Sequence, residues 1–152
     1  MRGEPTNTLP DGVRAMWLCE DAIGMLVLLG IALGIGAAVD ALMPWLPLVV
    51  AAAGLAHVVL VPRERYRRYR WDLHEEELEL LEGVLSVTRT IVPITRIQHV
   101  SVERTGWTSV FDLVRLSVHT AAGETKIPGL EPTRAADVRD RILARLRTPD
   151  DL

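Results

Sequence analysis

The chain has 152 residues, of which 49% are apolar, 24% charged and 5% aromatic, and its formal net charge is -3. This length allows one ordinary domain, and the composition excludes a disordered tail, a collagen-like chain and a small disulfide-stapled secreted domain. Because the mean hydropathy is positive, at +0.19, in a chain with 17 basic and 20 acidic residues, apolar and charged residues must occupy separate segments.

Two apolar segments in the first half are long enough to cross a lipid bilayer. Residues 22–39 and 42–61 contain no Asp, Glu, Lys or Arg, and each nearly matches a hydrocarbon core roughly 30 Å thick at about 1.5 Å per residue. The connection between them is so short that the two helices must be antiparallel. We therefore expect a transmembrane hairpin rather than two core helices of a soluble domain. A cleaved signal peptide is a weaker alternative, because Glu20 and Asp21 stand where such a peptide needs positive charge.

Small residues within the hairpin predict close helix packing. Gly30 and Gly34 form a G-x-x-x-G motif in the first segment, which allows two backbones to approach closely. The motif either packs against the second helix, which we favour because that helix is tethered nearby, or joins two copies of the chain as a homo-oligomer. His57 lies near the end of the second segment with no carboxylate in that segment, so we expect it to reach lipid headgroups or water.

A cluster of arginines predicts the orientation of the hairpin. Directly after the second apolar segment stand five arginines and one acid, whereas the connecting loop carries Asp40 and no cation. The positive-inside rule places such a cluster in the cytoplasm, so we expect a multi-pass cell-membrane protein with both termini inside. Anionic headgroups gain about 1 kcal/mol per nearby arginine, so the cluster is predicted to contact the inner leaflet. Its members are Arg63, Arg65, Arg67, Arg68 and Arg70, and Tyr69 and Trp71 are expected at headgroup level.

Short runs rich in Val, Ile, Leu and Thr follow the arginines and predict an antiparallel meander of about six strands. The runs are residues 71–74, 78–81, 84–92, 97–102, 113–120 and 125–127. The alternation of Leu116 and Val118 with Ser117 and His119 predicts one dry and one wet face. An acidic run, Glu75, Glu76, Glu77, Glu79 and Glu82, is interpreted as a solvated turn and strand face.

The last predicted element is an amphipathic helix over residues 132–147. Pro132 stands at its first position, where a missing N–H costs nothing. Val138, Ile142 and Leu146 recur every four residues, and Ala135 extends the same stripe. Such a stripe must cover the open apolar face of the sheet.

This order of elements resembles the bacterial pleckstrin-homology-like (PH-like) domain of YdbS-like membrane proteins. The resemblance covers nearly the whole chain, and its most specific pieces are Trp71, Gly83, Pro93, Arg96–Val100 and Thr120–Gly123. It implies an α+β fold: a two-helix transmembrane hairpin, then a small, partly open antiparallel barrel capped by the C-terminal helix. Val110 and Asp112 depart from the pattern, which is expected to have a basic residue and a glycine there.

Four segments follow from these observations. They are an N-terminal cytoplasmic segment (1–21), the transmembrane hairpin (22–61), a basic juxtamembrane linker (62–70) and the PH-like domain (71–148). The last segment, counted to residue 152, has fourteen acidic and ten basic residues, and this acidity argues against nucleic acid as a partner.

The sequence contains no convincing catalytic constellation. It has no G-x-S-x-G motif, no phosphate-binding loop and no C-x-x-C motif, and its histidines are scattered over different predicted elements. We therefore predict no catalytic residue, no metal site and no cofactor. An enzyme in the membrane is the least favoured class, and its activity would have to depend on His99 or His119.

Two non-enzymatic classes remain. We favour a membrane-anchored scaffold that offers a strand edge or loops to a protein partner; the resemblance implies that the partner is a larger membrane protein with several PH-like domains. Trp107 and Phe111 are the candidate contact residues, unless they simply close the end of the barrel. The second class is a sensor of anionic lipid headgroups, with Arg89, Arg96 and Arg104 as candidate contacts.

Overall fold

A computed structural model describes residues 5–84 and 86–147, the last without its side chain. Position 85 of the predicted strand 84–92, positions 1–4 of the N-terminal segment and position 148 of the predicted domain lie outside the described residues. The chain forms two compact units. One is Arg14–Glu64, and the other combines Met1–Val13 with Arg65–Leu152.

The two apolar segments form the two long helices of the first unit. Helix α1 spans Asp11–Ala38 and α2 spans Trp45–Arg68, with a short 3-10 turn at Asp40–Leu42 between them. Both helices are long and apolar enough to cross a membrane, and only 11% of the apolar window of each is buried. A core helix of a soluble domain would be mostly buried, so this exposure favours the membrane interpretation. Because α2 continues to Arg68, most of the predicted linker 62–70 is helical.

The contact between α1 and α2 does not use the G-x-x-x-G motif. Apart from the backbone of α1 itself, a Cβ atom at Gly30 or Gly34 would meet no atom within 4 Å, whereas one at Gly54 would overlap the sulfur of Met25. The favoured interpretation of Gly30 and Gly34 is therefore wrong. The reason is helical phase: the buried face of α1 is marked by Ala32, and a residue two positions away lies about 200° around the helix.

Among the residues that the structure describes, six antiparallel strands form two separate sheets in the second unit. The first contains β1 (Arg70–Leu73), β2 (Glu77–Glu82) and β3 (Thr88–Pro93), in the order β1-β2-β3. The second contains β4 (Ile97–Glu103), β5 (Val114–Thr120) and β6 (Gly123–Leu130), in the order β4-β5-β6. The predicted α+β class and PH-like arrangement are confirmed, but the two sheets do not close into a barrel. The third strand starts at Thr88, four residues later than predicted. Of the described residues before it, Gly83 has φ +140° and Val84, Ser86 and Val87 lie outside the strands.

The C-terminal helix α4 has the predicted bounds, Pro132–Arg147. Ala135, Val138 and Ile142 are buried against the core, and Leu146 is 37% exposed. The core includes Leu116 and Val118 of β5, and each buried side chain of this size contributes about 1.5–3 kcal/mol to folding.

Three side chains expected at a wet surface are buried instead. Ser117 is fully buried, so the predicted wet face of β5 is wrong there: β5 is the central strand of its sheet, and Ser117 lies between Ser101 and Lys126 in the register. Tyr69 and Trp71 are each 2% exposed and belong to the core of the second unit, not to a headgroup layer.

The N-terminal residues complete this second unit. Asn7 forms an antiparallel bridge with Trp71, with N···O distances of 3.1 and 3.0 Å, and Leu9 and Val13 are buried. The bridge covers the outer edge of β1 at this point. Part of the segment predicted as a separate N-terminal region thus belongs to the PH-like unit.

Candidate functional site

An open groove of about 690 Å³ lies beside the terminal strand of the first sheet. Its walls are the second half of β3, the start of β4 with the 3-10 turn Ile94–Arg96 before it, and the β5–β6 turn. We call it the edge groove. Because β3 ends its sheet, alternate N–H and C=O groups of this strand point away from β2.

Local sequence fixes the walls of the edge groove. Pro93 ends β3 because it has no N–H for the ladder, and the next residue, Ile94, is buried and donates its N–H to Glu76 O at 2.8 Å. On the opposite wall, the Thr120 hydroxyl donates to Gly123 O at 3.1 Å and accepts from Ala122 N at 3.2 Å. Gly123 has φ +140°, a conformation that glycine adopts easily.

The lining of the edge groove is nearly neutral. Its charged residues are Arg96 and Glu124, and Glu124 already lies 2.9 Å from Lys126 Nζ and 3.7 Å from His119 Nε2. The hydrogen bond from Lys126 lowers the pKa of Glu124, which favours its ionised form. The other polar lining consists of threonines and Gln98, which suit uncharged hydrogen-bonding groups such as peptide amides.

The three candidate arginines do not form one anion site. Arg89 is paired with the carboxylate of Glu79, and Arg104 lies 2.8 Å from Asp112. Of the three, Arg96 lines the edge groove. Two of the three positive charges therefore already face a carboxylate.

Glu79 is fully buried, which makes its prediction as a solvated acid wrong. Glu79 stands opposite Ile91 in the β2–β3 register, so Arg89, two residues before Ile91, is its diagonal neighbour. His74 Nε2 lies 3.6 Å from the same carboxylate. The opposite charges of positions 79 and 89 are the feature of the sequence that could have indicated this ion pair. They indicate it only when the length of the connection between β2 and β3, and so the register of the two strands, is known.

Two histidines that the sequence places on different strands are neighbours in the second sheet. His99 and His119 are register partners, and their ring centroids are 5.7 Å apart. Among the described residues, no group of three or more His, Cys, Asp or Glu side chains is arranged to hold a metal ion.

The five arginines of the basic cluster follow one another along the chain at the end of the apolar hairpin. Arg63, Arg65, Arg67 and Arg68 lie on the last turns of α2, and Arg70 begins β1. Arg70 donates to the carbonyl oxygen of Tyr69 at 2.7 Å.

Comparison with known proteins identifies the family. Residues 22–146 match the family described as "Bacterial PH domain". The chain belongs to this bacterial PH domain family. Over 158 aligned residues it is also 31% identical to the UPF0699 transmembrane protein YdbS of Bacillus subtilis (strain 168), with 99% of each chain covered. No solved structure matches the chain. This relative and the two candidate spans establish a membrane protein with a PH-like module.

Three of the five pieces that carry the family resemblance meet at the edge groove, whereas Trp71 and Gly83 do not line it. Pro93, Arg96–Gln98 and Thr120–Gly123 are far apart in sequence, yet all of them line it. This convergence makes the edge groove the candidate functional site of this bacterial PH domain protein.

The departure from the family pattern near residue 112 has a structural consequence. Asp112 has φ +53°, in the left-handed region that favours glycine, which explains the expected glycine there. Here the aspartate side chain instead accepts a hydrogen bond from Arg104.

One of the two candidate contact aromatics, Trp107, lies on a short helix, and the other, Phe111, follows directly after it. Helix α3 (Gly106–Val110) starts with a capping box between Thr105 and Thr108. Trp107 and Phe111 are both half-buried and pack edge to face, with ring centroids 5.6 Å apart. They lie outside the edge groove, and their contact with a partner stays a prediction.

Proposed function

We propose that this protein is a non-enzymatic, membrane-anchored interaction module whose edge groove binds an extended segment of a partner protein in the same membrane. The observation that carries the proposal is a terminal strand, β3, beside a nearly neutral groove lined by three of the pieces that carry the family resemblance. An extended peptide can add to such an edge through main-chain hydrogen bonds while the groove accepts alternate side chains. The partner we favour is a larger membrane protein with PH-like domains.

Exposed apolar surface on β3 supports a protein occupant. Ile91 lines the edge groove and is 48% exposed. The opposite edge of the same sheet is partly covered by Asn7, so β3 is the more accessible edge for strand addition.

The alternative is a sensor of anionic lipid headgroups. Arg96 supports it, because this basic residue lines the edge groove. Glu124 in the same lining and the carboxylate partners of Arg89 and Arg104 argue against it, since a phosphate needs uncompensated positive charge.

We further propose that both termini are cytoplasmic and that the hairpin crosses the membrane twice. The support is the basic cluster after the second span and the acidic connecting loop, in accord with the positive-inside rule. A reporter fused after Leu152 should be labelled only after cell lysis, and a tag inserted at Ala41 should be labelled in intact cells. External labelling at Leu152 would refute this orientation.

Site-specific photo-crosslinking tests the docking site in the full-length protein. A photoreactive residue at Thr95, in the edge groove, should crosslink to a membrane protein, whereas one at Asp137, 55% exposed on α4, should not. Ile91→Asp should weaken the crosslink about tenfold or more, because it buries an unpaired charge. Val110→Asp is the control, since Val110 is 70% exposed and outside the edge groove.

Two outcomes would refute protein docking at the edge groove. One is equal crosslinking from positions 95 and 137, and the other is equal weakening by the two aspartate variants. A third measurement addresses lipid sensing: hydrogen exchange of residues 88–98 in nanodiscs with and without anionic lipid. Protection that requires anionic lipid and falls with salt would favour the headgroup sensor over the scaffold.

A further inference from the structure

The membrane hairpin contains a cleft of its own, of about 510 Å³. The cleft runs along the seam between α1 and α2, and most of its lining is apolar or small. Gly24 contributes to its width, because a Cβ there would meet nothing within 4 Å. From Asp21 to Leu28 the α1 side of the cleft rises by seven residue steps, or about 10 Å.

One end of this cleft is acidic. Glu20 and Asp21 line it from α1, and His57 lines it from α2. His57 Nε2 lies 3.9 Å from Asp21 Oδ2, so the imidazole that sequence analysis left without a carboxylate meets one on the neighbouring helix. The lining contains no Lys or Arg, so the two carboxylates set the charge of this end.

We propose that the hairpin cleft binds a phospholipid whose headgroup carries a primary ammonium group. The ammonium would lie at Glu20 and Asp21, and part of one acyl chain would lie along the cleft. This inference needs the chain to be a membrane protein, but it does not rest on the partner docking proposed above.

Charge and length support this occupant. A primary ammonium has three N–H donors for carboxylate oxygens, and hydrogen bonds between two charged groups are stronger than neutral ones. The acidic end repels a headgroup whose net charge is negative. The length of about 10 Å fits within one leaflet, which is about half of the roughly 30 Å hydrocarbon core.

Native mass spectrometry of the full-length protein in mild detergent tests the proposal. The probes are phosphatidylethanolamine, phosphatidylglycerol and phosphatidylcholine with identical acyl chains. We expect phosphatidylethanolamine to bind at least about tenfold more tightly than phosphatidylglycerol, and more tightly than phosphatidylcholine, which has no N–H donor. The double variant Glu20→Gln and Asp21→Asn should lose this preference.

Variants that fill the cleft locate the binding site. Gly24→Leu should reduce retention of phosphatidylethanolamine about tenfold, and Ala53→Leu tests the same space from α2 if the first variant fails to insert. Gly30→Leu is the matched control, because Gly30 is equally open but does not line the cleft. Equal binding of the three lipids, a preference that survives the double variant, or equal effects of Gly24→Leu and Gly30→Leu would each overturn the proposal.

Discussion

Disrupting the ion pair between Arg89 and buried Glu79 tests how much this pair contributes to the stability of the PH-like unit. Glu79 is fully buried, whereas the Arg89 side chain is 42% exposed. Arg89→Met keeps an apolar stem and removes the charge, which leaves the carboxylate buried without this partner. Breaking a buried ion pair costs about 3–5 kcal/mol. Because Arg89 is partly hydrated, we expect the free energy of unfolding to fall by about 2–3 kcal/mol.

Arg104→Met provides the matched control. Arg104 and Asp112 have a similar charge pairing, but their side chains are 52% and 82% exposed. Exposed pairs contribute up to about 1 kcal/mol, so this variant should remain within that range. The double variant Glu79→Leu and Arg89→Met should recover most of the lost stability, since apolar replacement of a buried pair is often neutral.

Urea unfolding of the full-length protein in detergent measures these losses, and hydrogen exchange localises them. Amides of β2 should exchange about 30-fold faster in Arg89→Met, which corresponds to about 2 kcal/mol. The reasoning is refuted if Arg89→Met costs no more than Arg104→Met, or if the double variant is as unstable as the single one. If the prediction holds, an Arg89 variant loses stability as well as a positive charge. Reduced anion binding by such a variant would then not by itself show that Arg89 contacts the anion.

Two further predictions use the same urea assay. In Gly83→Ala and in Gly123→Ala the new side chain is strained by the same φ of +140°, which costs about 1–3 kcal/mol. At Gly83 the new Cβ would also overlap the carbonyl oxygen of Ser86, so Gly83→Ala should lower the free energy of unfolding more than Gly123→Ala. Equal losses of stability in the two variants would contradict this account. Burial raises the pKa of Tyr69 well above its usual range. The protonated phenol therefore makes its full contribution to the free energy of unfolding below the pKa of the unfolded state, about 10. Above that pH the contribution falls by up to about 1.4 kcal/mol per pH unit. Tyr69→Phe loses the hydrogen bond to Lys126 O and cannot titrate. The difference in free energy of unfolding between wild type and this variant should therefore shrink between about pH 9 and pH 11. A difference that does not change over this range would contradict the prediction.

Periodic patterns in the sequence were sufficient to predict the long helices and the strands of the described residues, but not the short helix α3. Two uncharged segments gave the helices of the hairpin, six short runs gave the strands, and Pro132 with the apolar stripe after it gave α4 with its observed bounds. These features depend on local spacing and hydropathy, which each segment carries within itself.

The sequence could not predict which residues meet across elements. From the sequence, Glu79 was predicted to be solvated and Gly30 to lie in the contact between α1 and α2, and no carboxylate partner was predicted for His57. Each depends on strand register or helix phase, and a shift of one residue moves a side chain to the other face of a strand or about 100° around a helix. The edge groove has the same origin, because β3 and the β5–β6 turn become neighbours only after both sheets have formed. The sequence by itself therefore determined the long helices, the strands and the membrane character of the chain. The tertiary structure decided which charges are paired and where a partner or a lipid has room to bind, because both depend on contacts between elements that are distant in sequence.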